Sequence, residues 1–375
     1  MKHLSLGVVS RSRKENEHRV PIHPEHLAQI APETRERLIF EHGYGEPFGT
    51  TDAQLSRLGV GLATREEILA EAGVVLLAKP LAADLAQLRE DGILWGWSHC
   101  VQQRDITQLA IDRRLTLIAW EAMFLWKQGG VRDMHIFYRN NEMAGYAGVI
   151  HALGLAGLDG HYGRKLRATV LSFGSVSRGA IRALRARGIS EINVYTQRPS
   201  WAVHNQVVGC RYARMLIEGE RVIAEAEDGT RRILAEVLAE SDVIVNGILQ
   251  DTEHPMMFLN DEDVPRLKPG SLIIDVSCDL DMGFPTARPT TFEEPTFALG
   301  DATYYAVDHT PSYLWRSASW ELSRAVLPFI DTVLGGPDAW DDEETIARSI
   351  EIRHGNIQNE AILKFQGREA AYPHR

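Results

Sequence analysis

Short apolar runs alternate with amphipathic stretches along most of the chain. Before about residue 140, runs at 4–9, 37–41, 73–78, 93–97 and 115–119 have the length of strands, with helical patterns such as 105–113 between them. After it, strands are predicted at 168–173, 191–195, 242–246 and 271–276, the last fed by the turn Lys268-Pro-Gly270. Ala180, Ile181 and Leu184 make the apolar face of a helix. Strands alternating with helices in both blocks predict parallel sheets, hence an α/β protein. Residues 212–233 read as an inserted hairpin turning at Glu227-Asp-Gly229, and 317–334 as an amphipathic helix stopped by Gly335-Gly-Pro337. Asp341-Asp-Glu-Glu344 reads as a solvated helix start, and the last dozen or so residues as loosely ordered.

Composition narrows this picture. A length of 375 residues fits two domains, and an apolar share of 44% can build a core for each. A net charge of −11 without a basic stripe excludes a general nucleic-acid partner. Cys100, Cys210 and Cys278 are odd in number and widely spaced, which suits a reducing cytoplasm, not a disulfide framework, and gives no metal-site spacing. No secretory h-region and no membrane-length apolar run is present, so a cytoplasmic protein without a metal is expected.

The run Ala168-Thr-Val-Leu-Ser-Phe-Gly-Ser-Val-Ser-Arg-Gly-Ala180 carries the first candidate chemistry. It reads as strand, tight turn and helix start, the place where a Rossmann fold holds a dinucleotide pyrophosphate. The glycine fingerprint is degraded to Ser172-x-Gly174-x-x-Ser177. Gly174 keeps the position of closest backbone approach, Ser172 and Ser177 are small enough for the turn and for packing, and the Ser175 and Val176 amides point at the pyrophosphate. The next strand ends in Thr196-Gln197-Arg198, about 20 residues on, where an NAD site places a carboxylate. Arg198 in place of that carboxylate favours the 2′-phosphate of NADP(H). Asn246, Gly247, Ile248 and Leu249, following another strand of the block, are expected to line the same cofactor.

In the first block, Lys79, His99 and Glu121 each follow an apolar run. Taken singly they also fit a surface lysine, a hydrogen-bonded histidine and a helix-start carboxylate. Together they mark one site at the carboxyl ends of a sheet. Arg19, in Glu17-His-Arg-Val20, is either an exposed loop arginine or a bidentate grip on a substrate carboxylate.

These segments resemble the superfamily of alanine dehydrogenase, pyridine nucleotide transhydrogenase and lysine-forming saccharopine dehydrogenase. The resemblance rests on Glu17-His-Arg-Val20, Lys79-Pro80, His99, Trp120-Glu121, Lys268-Pro-Gly-Ser-Leu-Ile-Ile-Asp-Val-Ser-Cys-Asp279, Arg288-Pro-Thr-Thr291 and Glu294-Pro-Thr-Phe297. It implies two Rossmann-like domains with the active site in the cleft between them: 1–140 plus about 305–375 for substrate and catalysis, and 141–304 for NADP. It also implies that Arg19 and Lys79 engage the substrate, that His99 is the acid–base residue, and that Asp279 lies near the reacting centre. A homo-oligomer is expected.

The run Asp308-His309-Thr-Pro-Ser312 departs from the alanine dehydrogenase pattern. It resembles saccharopine dehydrogenases and, more closely, N(5)-(carboxyethyl)ornithine synthases. The activity implied is NADPH-dependent condensation of an amino-acid amine, ornithine- or lysine-like, with a small 2-oxo acid such as pyruvate. Asp308, His309, Arg316 and Glu121 are then candidate partners of a second polar substrate. Two alternatives stay open: an amino-acid dehydrogenase using ammonia, and a non-catalytic NADP-binding regulator.

Overall fold

Each of these apolar runs contains a strand. The computed structural model describes residues 4–219, 221–250 and 255–375. The chain divides into two units, one made of Met1–Tyr138 and Trp315–Arg375, the other of Arg139–Leu314. The first unit contains β1 (Leu6–Val8), β2 (Leu38–Glu41), β3 (Gly61–Ala63), β4 (Val74–Leu76), β5 (Ile93–Gly96), β6 (Thr116–Ala119) and a separate hairpin, β7 (Phe124–Lys127) with β8 (Val131–His135). The second contains β9 (Arg167–Leu171), β10 (Glu191–Thr196), β11 (Cys210–Glu218), β12 (Arg221–Glu225), β13 (Arg231–Ile233), β14 (Val243–Asn246), β15 (Leu272–Asp275), β16 (Thr296–Leu299) and β17 (Ala302–Tyr305). β18 (Ile350–Arg353) and β19 (Asn356–Ile357) belong to the first unit again.

The first sheet has the order β19-β18-β6-β5-β4-β1-β2-β3 and is parallel from β6 to β3. The second has the order β13-β12-β11-β10-β9-β14-β15-β17-β16 and is parallel from β11 to β17. In each the strand order reverses beside the first strand, at β1/β4 and at β9/β14, which is where doubly wound sheets open a crevice for ligands. Both units are Rossmann-like. Alternate residues of one strand feed opposite cores: Val74 and Leu76 pack on one face of the first sheet, Val75 and Leu77 on the other. Helices cover both faces, so the strands read as continuous apolar runs.

Four details differ from the sequence expectations. Residues 212–233 are not an isolated hairpin: β11 pairs in parallel with β10 from Ile192↔Cys210 to Thr196↔Arg214, and only its far half pairs with β12. Glu227-Asp-Gly229 instead turns β12 into β13. Apolar alternation marks a strand without naming its neighbour. The helix expected at 317–334 is Trp315–Val326, a 3₁₀ turn at Leu327–Phe329 and Ile330–Gly335, because Pro328 removes an amide donor. The tail is packed: Ile357 N–H donates to His374 Nε2 (3.1 Å), and His374 is buried. Finally, the chain re-enters the first unit at Trp315, so Asp308 and His309 belong to the second.

Candidate active site

The first sheet brings three of the expected residues together. After β4 the chain runs through Leu77 and Ala78 to Lys79, where Pro80 keeps the preceding residue out of a helical conformation. Lys79 Nζ lies 3.2 Å from His99 Nε2. His99 follows β5 with φ +48°, a left-handed backbone that a non-glycine residue adopts at a cost. The His99 backbone N–H donates to Glu121 Oε1, and His99 Nδ1 stands 3.9 Å from the same oxygen. Glu121 follows β6 on a 3₁₀ turn, Trp120–Ala122. Its carboxyl is pushed up to about 8, first by burial and then by the Glu351 carboxylate. Behind it, His135 Nε2 meets the Glu121 carbonyl oxygen at 3.2 Å, while its Nδ1 accepts from Phe137 N–H at 3.1 Å. Burial pushes that imidazole down to about 4, so His135 is neutral and serves as a strut.

Arg19 is buried together with Glu17. Its Nε and NH2 donate to the two carboxylate oxygens at 2.8 and 2.5 Å, and its guanidinium carbon lies 4.9 Å from the centre of the Trp97 ring. Trp97 is two residues before His99 in sequence, and the guanidinium is held between the Glu17 carboxylate and the Trp97 ring. Arg316 is exposed and stacks on the Trp315 ring at 5.0 Å. In the second unit, His309 is buried with Nδ1 2.6 Å from Asp308 Oδ1, its ring edge-on to Phe292.

The second unit builds a strand–turn–helix junction where the turn was expected. Ser172 has φ +83°, a backbone region that favours glycine, and its Oγ accepts from Gly174 N–H at 3.2 Å. Gly174 caps the helix Ser175–Ala186, and a Cβ there would meet only Ser172 Oγ, at 3.7 Å. The space over Gly174 is therefore open, with the Ser175 and Val176 amides at the helix mouth, which fits an anionic group. Ser177 is buried and donates to the Leu171 carbonyl at 3.1 Å, so a serine fills the packing position. Gly247, after β14, sits so close to the same helix that a Cβ would lie 2.6 Å from Ser177 Oγ.

The remaining expected cofactor residues surround this turn at the strand ends. Thr196 is buried, and its Oγ1 accepts from Arg198 N–H at 3.4 Å. Arg198 also reaches the Phe173 carbonyl at 3.4 Å, and Gln197 contacts Met256 Sδ at 3.4 Å. Asn246 donates to Asp275 at 2.9 Å and accepts from Ile248 N–H at 3.1 Å. Ser277 Oγ closes onto the Ile248 carbonyl, while the Leu249 side chain is exposed. Burial, and then Asp275, push the Asp279 carboxyl up to about 6.

Asp275 and Arg178 escaped the sequence reading of this unit. Asp275 is a buried hub that accepts from Asn246 and, at 2.5 Å, from Tyr304 Oη. Its place in the Lys268-Pro-Gly-Ser-Leu-Ile-Ile-Asp275 run was the available signal. Arg178 lies 3.9 Å over the Phe173 ring, is held by the His204 and Asn205 carbonyls at 2.9 Å, and is close enough to Arg198 for the two cations to repel. In sequence it looks like any solvated helix arginine.

The family profiles for the N-terminal and C-terminal domains of alanine dehydrogenase/PNT match residues 7–142 and 167–360. The chain belongs to the alanine dehydrogenase/PNT family. It is an oxidoreductase of that family. The chain is 25% identical to an alanine dehydrogenase of Mycobacterium tuberculosis, covering 97% of each. It is 28% identical to an N(5)-(carboxyethyl)ornithine synthase of Clostridium botulinum, covering 83% of this chain and 89% of the relative. Among solved structures, an L-alanine dehydrogenase shares the fold with a TM-score of 0.75 at 18% identity, over 97% of this chain and 99% of that one.

Proposed function

We propose that the protein is an NADPH-dependent enzyme that condenses the amine of an ornithine- or lysine-like amino acid with a small 2-oxo acid, pyruvate first, to give a secondary amine. The observation that carries the chemistry is the Lys79–His99 contact braced by Glu121. Forming an imine needs a proton delivered to the carbinolamine oxygen and another removed from the amine. A lysine and a histidine within one hydrogen bond can hold and pass such protons, provided only one of the facing nitrogens carries the shared hydrogen. Arg19, fixed on Trp97, orients the oxo-acid carboxylate. The second unit holds the dinucleotide, and when bound NADPH supplies the hydride for the imine carbon. The preference for NADP(H) is supported by the Arg178 and Arg198 guanidiniums around Phe173, a pairing that a phosphate dianion would relieve. The choice of an amino-acid donor over ammonia is supported by the likeness to N(5)-(carboxyethyl)ornithine synthases.

The test is a matrix of amines against oxo acids, followed by NADPH absorbance and product mass. Ornithine or lysine with pyruvate should give the reduced condensate, and Arg198→Ala should weaken NADPH far more than NADH. The alanine dehydrogenase relatives support the second reading, reductive amination with ammonia. Alanine formed from ammonia and pyruvate at a comparable rate would select it.

A further inference from the structure

A cavity of about 530 Å³ opens in the first unit between the β7–β8 hairpin and β18. Its lining includes Glu121, Glu351, Phe124, Trp126, Arg132 and Arg348. Glu351 is only 4% exposed. Its Oε1 accepts from Asn359 Nδ2 at 3.0 Å and the Cys100 thiol also hydrogen-bonds to the carboxyl, while Oε2 is shielded from water and has no partner in hydrogen-bond geometry. Glu121 Oε2 is in the same condition, although its Oε1 holds the His99 amide. The Trp126 indole N–H, also shielded, has no acceptor. Buried polar atoms are ordinarily paired, and three orphans around one cavity describe a ligand's complement. Two are carboxylate oxygens, one is an N–H. Two guanidiniums complete the wall: Arg348 stacked 4.2 Å over the Trp126 ring and bonded to Glu344 at 3.0 Å, and Arg132 4.7 Å over the Phe124 ring.

We propose that this cavity binds an amino-acid zwitterion, its ammonium against Glu121 and Glu351 and its carboxylate against the Trp126 N–H and the arginines. An ammonium is the group that two crowded carboxyls accept best, since it satisfies both free oxygens and cancels their repulsion. Burial raises both acids, and the neighbouring Glu351 raises Glu121 further. Glu121 spans the cavity and the His99 backbone, which puts the occupant one carboxyl group away from the Lys79–His99 pair. Two sources share this chemistry: the head group of the amine donor, an arm that rests on the condensation reading above, and a separate amino acid that regulates the enzyme.

Titration calorimetry on the full chain with L-ornithine tests the site, with n-butylamine and butyrate as half-ligands. Trp126→Phe keeps the ring and removes only the N–H; Glu351→Gln removes the charge. Each should weaken ornithine about tenfold or more. The amine half-ligand should respond only to Glu351→Gln, and butyrate only to Trp126→Phe. If Glu351→Gln does not fold, Trp126→Phe decides by itself. Wild-type protein that does not bind ornithine, or unchanged affinity in Trp126→Phe, overturns the proposal. In turnover, a donor head group here makes Trp126→Phe raise the KM for ornithine while that for pyruvate holds. A regulator here changes the rate without being consumed, and the variant abolishes the effect. Ornithine binding that depends on Trp126, with no condensate from any amine, removes the condensation reading and leaves the site. Condensate formed with an ornithine KM indifferent to both variants does the reverse.

Discussion

At the scale of single residues, the arrangement around His99 makes the sharpest demands. Lys79→Ala or His99→Ala should lower turnover by about 10²–10⁴-fold, the range for a positioned proton carrier, with NADPH affinity measured by fluorescence titration nearly unchanged. Turnover close to wild type in both variants would place the chemistry elsewhere. Glu121 makes a second, independent demand. Its carboxyl is raised from an ordinary 4.5 to about 8, so the folded protein holds a proton there that the unfolded chain releases. The resulting stability is complete below the ordinary carboxylate range and is lost as pH rises through about 8. Thermal midpoints should therefore fall less between about pH 5 and pH 9 in Glu121→Gln than in wild type, other groups being common to both. Lys79, His99 and Glu121 were legible because each ends an apolar run, and in a parallel sheet the ends of runs converge. Glu351, Trp126 and Arg178 were not, because nothing local separates them from ordinary polar residues of edge strands and helix faces.

At the scale of elements, the turn at Gly174 depends on a helix crossing. The helix Tyr138–Leu155 passes the helix Ser175–Ala186 so closely that a Cβ at Gly145 would lie 1.9 Å from the Val176 carbonyl oxygen, and one at Gly179 would lie 1.7 Å from that of Glu142. Both obstacles are backbone and cannot rotate aside. Gly179→Ala should destabilise the fold by about 1–3 kcal/mol or more in chemical denaturation and weaken NADPH, because the helix mouth must move. Gly154, in the first of these helices, has nothing within 4 Å of a built Cβ. Gly154→Ala should be neutral or stabilising by roughly 0.5–1 kcal/mol, which separates the crossing from helix propensity. Equal losses in both variants would sink this account. The fingerprint Ser172-x-Gly174-x-x-Ser177 announced the turn, but only the packed helices show that Gly179 and Gly145 permit it.

At the scale of the whole molecule, the first sheet is finished by residues far along the chain. β18 pairs antiparallel with β6, matching Ile350 to Ile118 and Ile352 to Leu117. A chain ending after Ser349 would leave the backbone of β6 bare on that edge and remove Glu351. It should aggregate on gel filtration and lose the thermal transition of the intact protein, since an uncovered apolar edge pairs with other chains. A soluble monomer with unchanged stability would contradict the role given to β18. The return of the chain was expected from the family resemblance. The crossing at Trp315 and the β18–β6 pairing were not, because strand partners so distant in sequence leave no mark in local periodicity.

What the sequence by itself determined is what short-range pattern encodes. Apolar runs separated by helical stretches required parallel α/β sheets, and the run around Gly174 required a tight strand-to-helix turn. The order of these runs and of the strand-end residues along the chain resembled one family, and that family is the one the chain belongs to. Tertiary structure decided what depends on neighbours: the left-handed His99 backbone and the approach of its ring to Lys79, the raised Glu121 carboxyl that holds the His99 amide, and the Arg178 beside Arg198. It also brought Glu121 and Glu351 to one cavity wall. The physical reason is common to all of these. Propensity and periodicity act over a turn or a strand, whereas desolvation and the approach of two charges depend on which distant segments the fold stacks together.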